Sequence, residues 1–237
     1  EKHTVSKLVG SPPGYVGYGE GGVLTEAVRQ RPYSVVLLDE VEKSHPEVLN
    51  LFYQVFDKGM LADGEGRVVD FKDTVIFLTS NLASDIIMRA CHAAMTGAAD
   101  AELPNVDELV QAIRPALSAH FKPALLARMT IVPYYPIMPD VMVDIVRLKL
   151  GGLKKRLWQS HKMELMVDEK VIRGIASLCT EAETGARNAD QLINQALLPP
   201  ISQKILKQLS LGPLPKALQI GLDAEGYFSF EFSEAVA

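Results

Sequence analysis

The sequence predicts an α/β chain: a parallel sheet packed by helices, then a mainly helical part that ends in a β-hairpin. Three observations predict it. Two short apolar runs, Val35–Leu38 and Thr74–Leu78, end on the polar groups Asp39-Glu40 and Thr79-Ser-Asn81. Such runs are too short for helices of their own, and the first reads as a strand buried on both faces. From Asp140 onward apolar residues recur at helical spacing, and the last stretch alternates about Ala224-Glu-Gly226.

Taken in order, residues 1–10 are expected to form a short helix leading into a loop. Gly10 to Gly22 reads Gly-Ser-Pro-Pro-Gly-Tyr-Val-Gly-Tyr-Gly-Glu-Gly-Gly, a loop with wide backbone freedom. It carries Tyr15, Val16 and Tyr18, costly side chains to expose without a use. It has no Lys and no G-x-x-x-x-G-K-[ST], so it is not a P-loop. Val23–Gln30 is a short helix, and the strand Val35–Leu38 follows, ending on Asp39 and Glu40. Open α/β sheets bind ligands at the carboxyl ends of their strands. One acid of such a pair can hold Mg²⁺, and the next can polarise a water for attack on a γ-phosphate. The pair reads equally well as a core strand running into an acidic helical turn.

A helix is expected from Glu42 to Asp57, with Ser44 or His45 marking its start before Pro46. His45 is assigned no chemistry. Asp57 to Asp70, with glycines at 59, 64 and 66, reads as a hairpin-like loop. Thr74–Leu78 is a second strand, and Asn81 at its end can orient a water or simply cap the strand. Residues 86–104 suggest a helix followed by an insertion, and Val106, Leu109, Val110 and Ile113 give a helical face. Pro115 and Pro123 look like first-turn prolines of short helices. Further on, Asp140 is expected to cap a helix carrying Met142, Val146, Leu150, Leu153 and Leu157. Gly151-Gly152 should weaken it. A strand at 163–167, a helix at 168–179, a helix from Arg187 to about Leu209 and the hairpin at 217–232 complete the reading.

Composition narrows the function. The 237 residues fit one large or two small domains, with 48% hydrophobic content to fill them. A net charge of −5 disfavours nonspecific nucleic-acid binding. Cys91 and Cys179 lie far apart without metal-ligand spacing, which suits a reducing compartment. No apolar run approaches the roughly 20 residues of a membrane span, and no signal peptide is visible. The chain begins Glu1-Lys-His without an initiator Met, which reads as a fragment.

Gly14-Tyr-Val-Gly-Tyr18, Arg31-Pro-Tyr-Ser-Val and Leu38-Asp-Glu-Val-Glu-Lys43 follow one another as in the second ATPase module of the AAA+ Clp/ClpB family. The chain resembles that family over nearly its whole length. The resemblance implies a large subdomain over 1–138 and a small subdomain over 139–237, with ATP and Mg²⁺ as cofactors. It implies that Val35–Lys43 is the Walker B segment, with Asp39 on the Mg²⁺ side and Glu40 activating water. Asn81 would be sensor 1, and Arg187 in Gly-Ala-Arg would be sensor 2, reaching the nucleotide. Arg128 would be an arginine finger for a neighbouring subunit of a homo-hexameric ring, a task suited to a permanently charged guanidinium. Tyr15 and Val16 would grip a threaded polypeptide, and Asp57–Asp70 would be a second pore loop. Two departures stand out. Ala127 occupies a position that is usually Asn, and Asn188-Ala-Asp-Gln191 lacks the second basic residue common there.

The family's Walker A lies upstream of the gripping loop, and no such sequence occurs in these residues. The sheet is therefore expected to lack its first strands, and this stretch alone is not expected to bind ATP well. Phe121–Pro136 looks most like the ClpV branch, ATPases that recycle contracted bacterial type VI secretion sheaths by threading a sheath subunit. General disaggregases tend to read Arg-Ile-Asp where this chain has Arg128-Met-Thr130. No Ile-Gly-Phe/Leu tripeptide lies between Asn81 and Phe121, so no peptidase partner is expected; Ile220-Gly-Leu222 falls in an expected strand. A bacterial cytoplasmic location follows from the resemblance. The runner-up is a ClpB-like general disaggregase, and two rivals of other classes are a non-hydrolysing AAA+ remnant used for assembly and a DNA-acting AAA+ protein. The acidic balance and lack of a basic helix count against the last.

Overall fold

The computed structural model describes residues 2–98, 101–181 and 185–233. They form two compact units, 1–94 with 99–135 and 95–98 with 136–237.

In the first unit, α1 (Lys2–Val9) leads through the glycine-rich loop into α2 (Val23–Gln30) and β1 (Val35–Leu38). A single 3-10 turn, Val41–Lys43, precedes α3 (Pro46–Lys58). His45 caps α3, its ring nitrogen accepting the Glu47 N–H at 3.3 Å, and Pro46 takes the first helical position. The hairpin β2 (Met60–Ala62) and β3 (Val68–Asp70) is antiparallel, and β4 (Val75–Leu78) runs parallel to β1. The helices α4 (Ser84–Met95), α5 (Val106–His120) and α6 (Pro123–Leu126) follow. One core gathers Val41, Leu49, Ile113, Leu117, Phe121 and Leu125, and a second gathers Val28, Val55, Leu61, Val69 and Phe71. The buried side of α3, Leu49, Phe52 and Val55, contributes to both regions because its apolar residues recur every three positions.

Two expectations for this unit fail. β1 is not buried on both faces: Val35 and Leu37 are 65% and 60% exposed, and their partners Val75 and Phe77 are 54% and 56% exposed. Only the alternate residues face inward, Val36 and Ile76 against one core and Leu78 against the other. Parallel sheets are covered on both sides in complete α/β domains, and this face lies uncovered among the described residues of the unit. Pro115, expected in a first turn, sits inside α5. The helix starts upstream at a capping box in which Asn105 accepts the Glu108 N–H at 2.9 Å and Glu108 accepts the Asn105 N–H at 3.0 Å. The buried stripe Leu109, Ile113 and Leu117 then carries it through the proline, offsetting a penalty of about 3 kcal/mol.

The second unit holds α7 (Pro139–His161), β5 (Glu164–Val167), α8 (Glu169–Glu181), α9 (Ala186–Leu192), a π-helical stretch (Ile193–Leu197), α10 (Leu198–Leu211), β6 (Ala217–Leu222) and β7 (Phe228–Ser233). Its sheet runs β5-β6-β7, with β5 parallel to β6 and the terminal hairpin antiparallel. Met142, Val146, Leu150, Leu153 and Leu157 of α7 meet Ile175, Leu197, Ile201, Leu218 and Ile220 in one core. That burial carries α7 unbroken through Gly151-Gly152, against about 1 kcal/mol per glycine. Asp140 is not the cap: Met138 is, with Pro139 at the first helical position and Asp140 in the first turn. The expected long helix from Arg187 is interrupted by the π stretch, just before Pro199 and Pro200. Prolines lack the N–H that an α-turn would use, and a wider turn absorbs the change of register. No helix is long and apolar enough to cross a membrane among the described residues.

Candidate nucleotide and substrate-loop sites

The acid pair is built by the β1–β4 register. Leu38 pairs with Leu78, so the residues that follow on the two parallel strands meet. Thr79 donates its N–H to the Leu38 carbonyl at 2.9 Å, and its carbonyl accepts the Val41 N–H at 3.0 Å. The Thr79 hydroxyl donates to Asp39 Oδ1 at 2.5 Å and accepts the Glu40 N–H at 3.0 Å. One threonine thus orients both acids. Glu40 adopts a left-handed backbone, φ 52 and ψ 50, a conformation that costs a non-glycine residue on the order of 1 kcal/mol and is characteristic of functional turns. Its exposed carboxylate meets Lys43 Nζ at 2.9 Å.

Glu42 buttresses the second strand's end, Oε1 accepting the Asn81 N–H at 3.2 Å. Burial pushes the Glu42 carboxyl up, and hydrogen bonds from its own N–H and that of Asn81, with the Lys43 charge, outweigh it, holding the group below the usual carboxylate range. Its Oε2 is buried without a hydrogen-bond partner among the described residues. The structure therefore brings Asp39, Glu40 and Asn81 together at the carboxyl ends of two paired strands. Sequence reading passed over Thr79 and Glu42; the register of the two strands was the available signal for both.

No group of three His, Cys, Asp or Glu residues capable of holding a metal occurs among the described residues. Asp39 and Glu40 offer oxygen ligands only, both exposed. That set fits Mg²⁺, which takes one or two carboxylates and completes its shell with water and phosphate oxygens.

Arg128 lies elsewhere. It follows α6, its Nη2 pairing with Asp57 Oδ1 at 2.9 Å and its Nη1 donating to the Ala124 carbonyl at 2.9 Å. Asp57 stands in the last turn of α3, whose 13 residues span roughly 20 Å, whereas Glu40 precedes its other end. Among the described residues no hydrogen bond or ion pair joins Arg128 to the acid pair, and its side chain is 45% exposed. Arg187 belongs to the second unit, exposed on the first turn of α9 behind Gly185. A cation there opposes the helix dipole, so helix stability does not explain it. Thr184 of the same motif lies outside the described residues.

The glycine-rich loop is a chain of turns. Tyr18 N–H donates to the Tyr15 carbonyl at 3.1 Å, Glu20 N–H to the Gly17 carbonyl at 3.1 Å, and the Ser11 hydroxyl to the Val16 carbonyl at 3.0 Å. Tyr15 is 68% exposed and Val16 fully exposed. Neither residue packs into the module.

The hairpin β2–β3 is organised by Asp63, whose side chain is 3% exposed. Oδ2 accepts from Arg29 Nη2 at 2.5 Å and Arg67 Nε at 2.9 Å, and Oδ1 accepts the N–H groups of Glu65 at 3.0 Å and Arg67 at 2.8 Å. Burial pushes this carboxyl up, but the Arg67 side chain and N–H, Arg29 and the Glu65 N–H bring it from 3.8 down to about 2. The folded value is the lower one, so the stabilisation is complete above pH ~4 and is lost as pH falls through ~2, a swing of about 2 kcal/mol. In melts from pH 5 to 2, the stability difference between wild type and Asp63→Asn is expected to shrink by about that amount; a constant difference would contradict the ion-pair account.

Residues 1–132 match the family described as AAA domain (Cdc48 subfamily), and residues 138–212 match the C-terminal, D2-small domain of ClpB protein. The chain is 48% identical to the AAA+ ATPase ClpV1 of Pseudomonas aeruginosa over 236 residues, 99% of this chain and 25% of that protein. It is 48% identical over 207 residues to the chaperone protein ClpB of Yersinia enterocolitica, 87% of this chain and 23% of that one. It is 40% identical over 232 residues to chaperone protein ClpB 2 of Parasynechococcus marenigrum. The chain thus spans about a quarter of the length of these relatives. The folded acid pair, the small helical unit and these matches agree that the chain belongs to the Clp/ClpB family of AAA+ ATPases, as part of a second ATPase module.

Proposed function

We propose that the full-length protein is an ATP-driven ring that threads polypeptides, and that its substrate is a subunit of contracted type VI secretion sheaths. The supporting observation is the pairing of Asp39 and Glu40, braced by Thr79, at the carboxyl ends of β1 and β4. Asp39 would hold Mg²⁺, directly or through water, and the ion would supply neutralisation of phosphate charge. Glu40 accepts a proton from the attacking water, released from Lys43 as it does so, while Asn81 orients that water. Arg128 serves the neighbouring subunit, and Arg187 reports the nucleotide from the small subdomain, residues 139–237. A bacterial cytoplasmic homo-hexamer without peptidase, nucleic acid or membrane span completes the reading. The 48% identity to a ClpB chaperone supports a second reading, general disaggregation.

Tyr15 carries the mechanical half. An exposed aromatic grips any chain by area and π contacts without demanding sequence. In the full-length protein, Tyr15→Ala is expected to reduce sheath disassembly by at least about tenfold more than it reduces ATP hydrolysis, with little change in melting temperature, since an exposed side chain contributes little to stability. Sheath polymers and a heat-aggregated protein are offered in parallel. Hydrolysis stimulated only by aggregates favours the disaggregase. Sheath disassembly at the wild-type rate by the variant defeats the gripping role.

A further inference from the structure

Asp63 is the one buried carboxylate among the described residues, and the chemistry above makes no use of it. Its two oxygens divide their work. Oδ1 holds the N–H groups of Glu65 and Arg67 and shapes its own hairpin, whereas Oδ2 also takes Arg29 of α2, the helix that leaves the glycine-rich loop. The next residue makes the contact closer still. Gly64 donates its N–H to the Val9 carbonyl at 2.8 Å, and a Cβ at position 64 would lie 2.5 Å from the Gly10 carbonyl. Gly10 is itself bridged to Gly21, and a Cβ on Gly22 would lie 2.3 Å from the Leu8 carbonyl. The buried Thr25 hydroxyl closes the stack, within hydrogen-bond reach of the Val9 and Gly22 carbonyls at 3.4 and 3.3 Å. Three backbone segments, at 8–10, 21–22 and 63–64, therefore meet with no room for a side chain between them.

We propose that Asp63 is a positioning residue that clamps the hairpin Asp57–Asp70 to the roots of the Gly10–Gly22 loop, so that both substrate loops act as one mechanical body. This rests on the threading function proposed above. A pull on Tyr15 reaches α2 through Gly22, and the Arg29–Asp63 ion pair passes it to the hairpin, sharing the load. Charge-assisted hydrogen bonds to a buried carboxylate suit that task, being short and directional. If Asp63 served only its own hairpin, Oδ1 with its two N–H groups and Arg67 would suffice, and Arg29 would be superfluous.

The test uses the full-length protein with Asp63→Asn, Arg29→Gln and Arg67→Gln. The amide at 63 keeps an acceptor for the two N–H groups and removes the charge, so the turn survives. Amide hydrogen exchange is followed in peptides covering 5–22 and 57–70, alongside ATP hydrolysis and unfolding of a tagged fluorescent protein. Asp63→Asn and Arg29→Gln are expected to speed exchange in both peptides by at least about fivefold. Unfolding should fall at least about fivefold further than hydrolysis does. Arg67→Gln, which breaks a bond inside the hairpin, should affect 57–70 alone. Faster exchange confined to 57–70 in all three variants overturns the clamp, as does a parallel fall of unfolding and hydrolysis with melting temperature. If the wild type unfolds no protein, the threading reading fails by itself, and the exchange measurements alone decide whether the loops are joined.

Discussion

Glu40→Gln in the full-length protein is expected to cut ATP turnover by about 10²–10⁴-fold while nucleotide binding persists. The geometry makes this a clean substitution. The left-handed backbone and the N–H bond to Thr79 belong to the main chain and survive the change. The carboxylate itself is exposed and touches Lys43, an exposed pair that contributes little to stability. Asp39 keeps its bond to Thr79. What is lost is the basic oxygen proposed to take the attacking water's proton. Steady-state hydrolysis and binding of a fluorescent nucleotide check it together. A variant that keeps more than about a tenth of wild-type turnover removes Glu40 from the role of base.

Arg128→Ala is expected to lower turnover by about 10³-fold, on the scale of other arginine fingers, without loss of fold. Its pair with Asp57 is exposed and at the far end of α3 from Glu40, so a large loss of activity has neither a structural cause nor a direct one within the same subunit. The decisive measurement is mixing. Rings assembled from Arg128→Ala and Glu40→Gln subunits should recover part of the activity that each lacks alone, because some junctions pair an intact finger with an intact base. If no ratio restores hydrolysis, or the variant no longer assembles, Arg128 is an interface residue whose guanidinium does not reach the reaction.

Much of this was legible in the sequence because it is local. Four apolar residues followed by two acids can hardly be anything but a strand end, and Asp57–Asp70 reads as a hairpin-like loop from its glycines and alternation. Several misses depend on partners far along the chain, while those at Pro115 and Asp140 turned on local caps that were passed over. Nothing within Val35–Leu38 reveals that only one face of the sheet is covered. Pro115 looks like a start until the capping box at Asn105 and the stripe at Leu109, Ile113 and Leu117 are seen to overrule it. Asp63 sits in an unremarkable turn sequence, and its partner Arg29 lies 34 residues away. Thr79 was readable in principle, since parallel pairing of the two apolar runs sets it opposite Asp39, but a register is a tertiary fact until the strands are paired.

The crowding where the glycine-rich loop and the hairpin are rooted divides the molecule's freedom to vary. At positions 22 and 64 a single added carbon is refused by backbone on the other side, and no rotamer change relieves that. A few residues away Val16 is fully exposed and Tyr15 and Tyr18 are largely so, and their side chains can be exchanged for others without disturbing what holds them. The loop's tip can therefore vary while its mount stays fixed, and related sequences should differ at 16 and 18 long before they differ at 22 or 64.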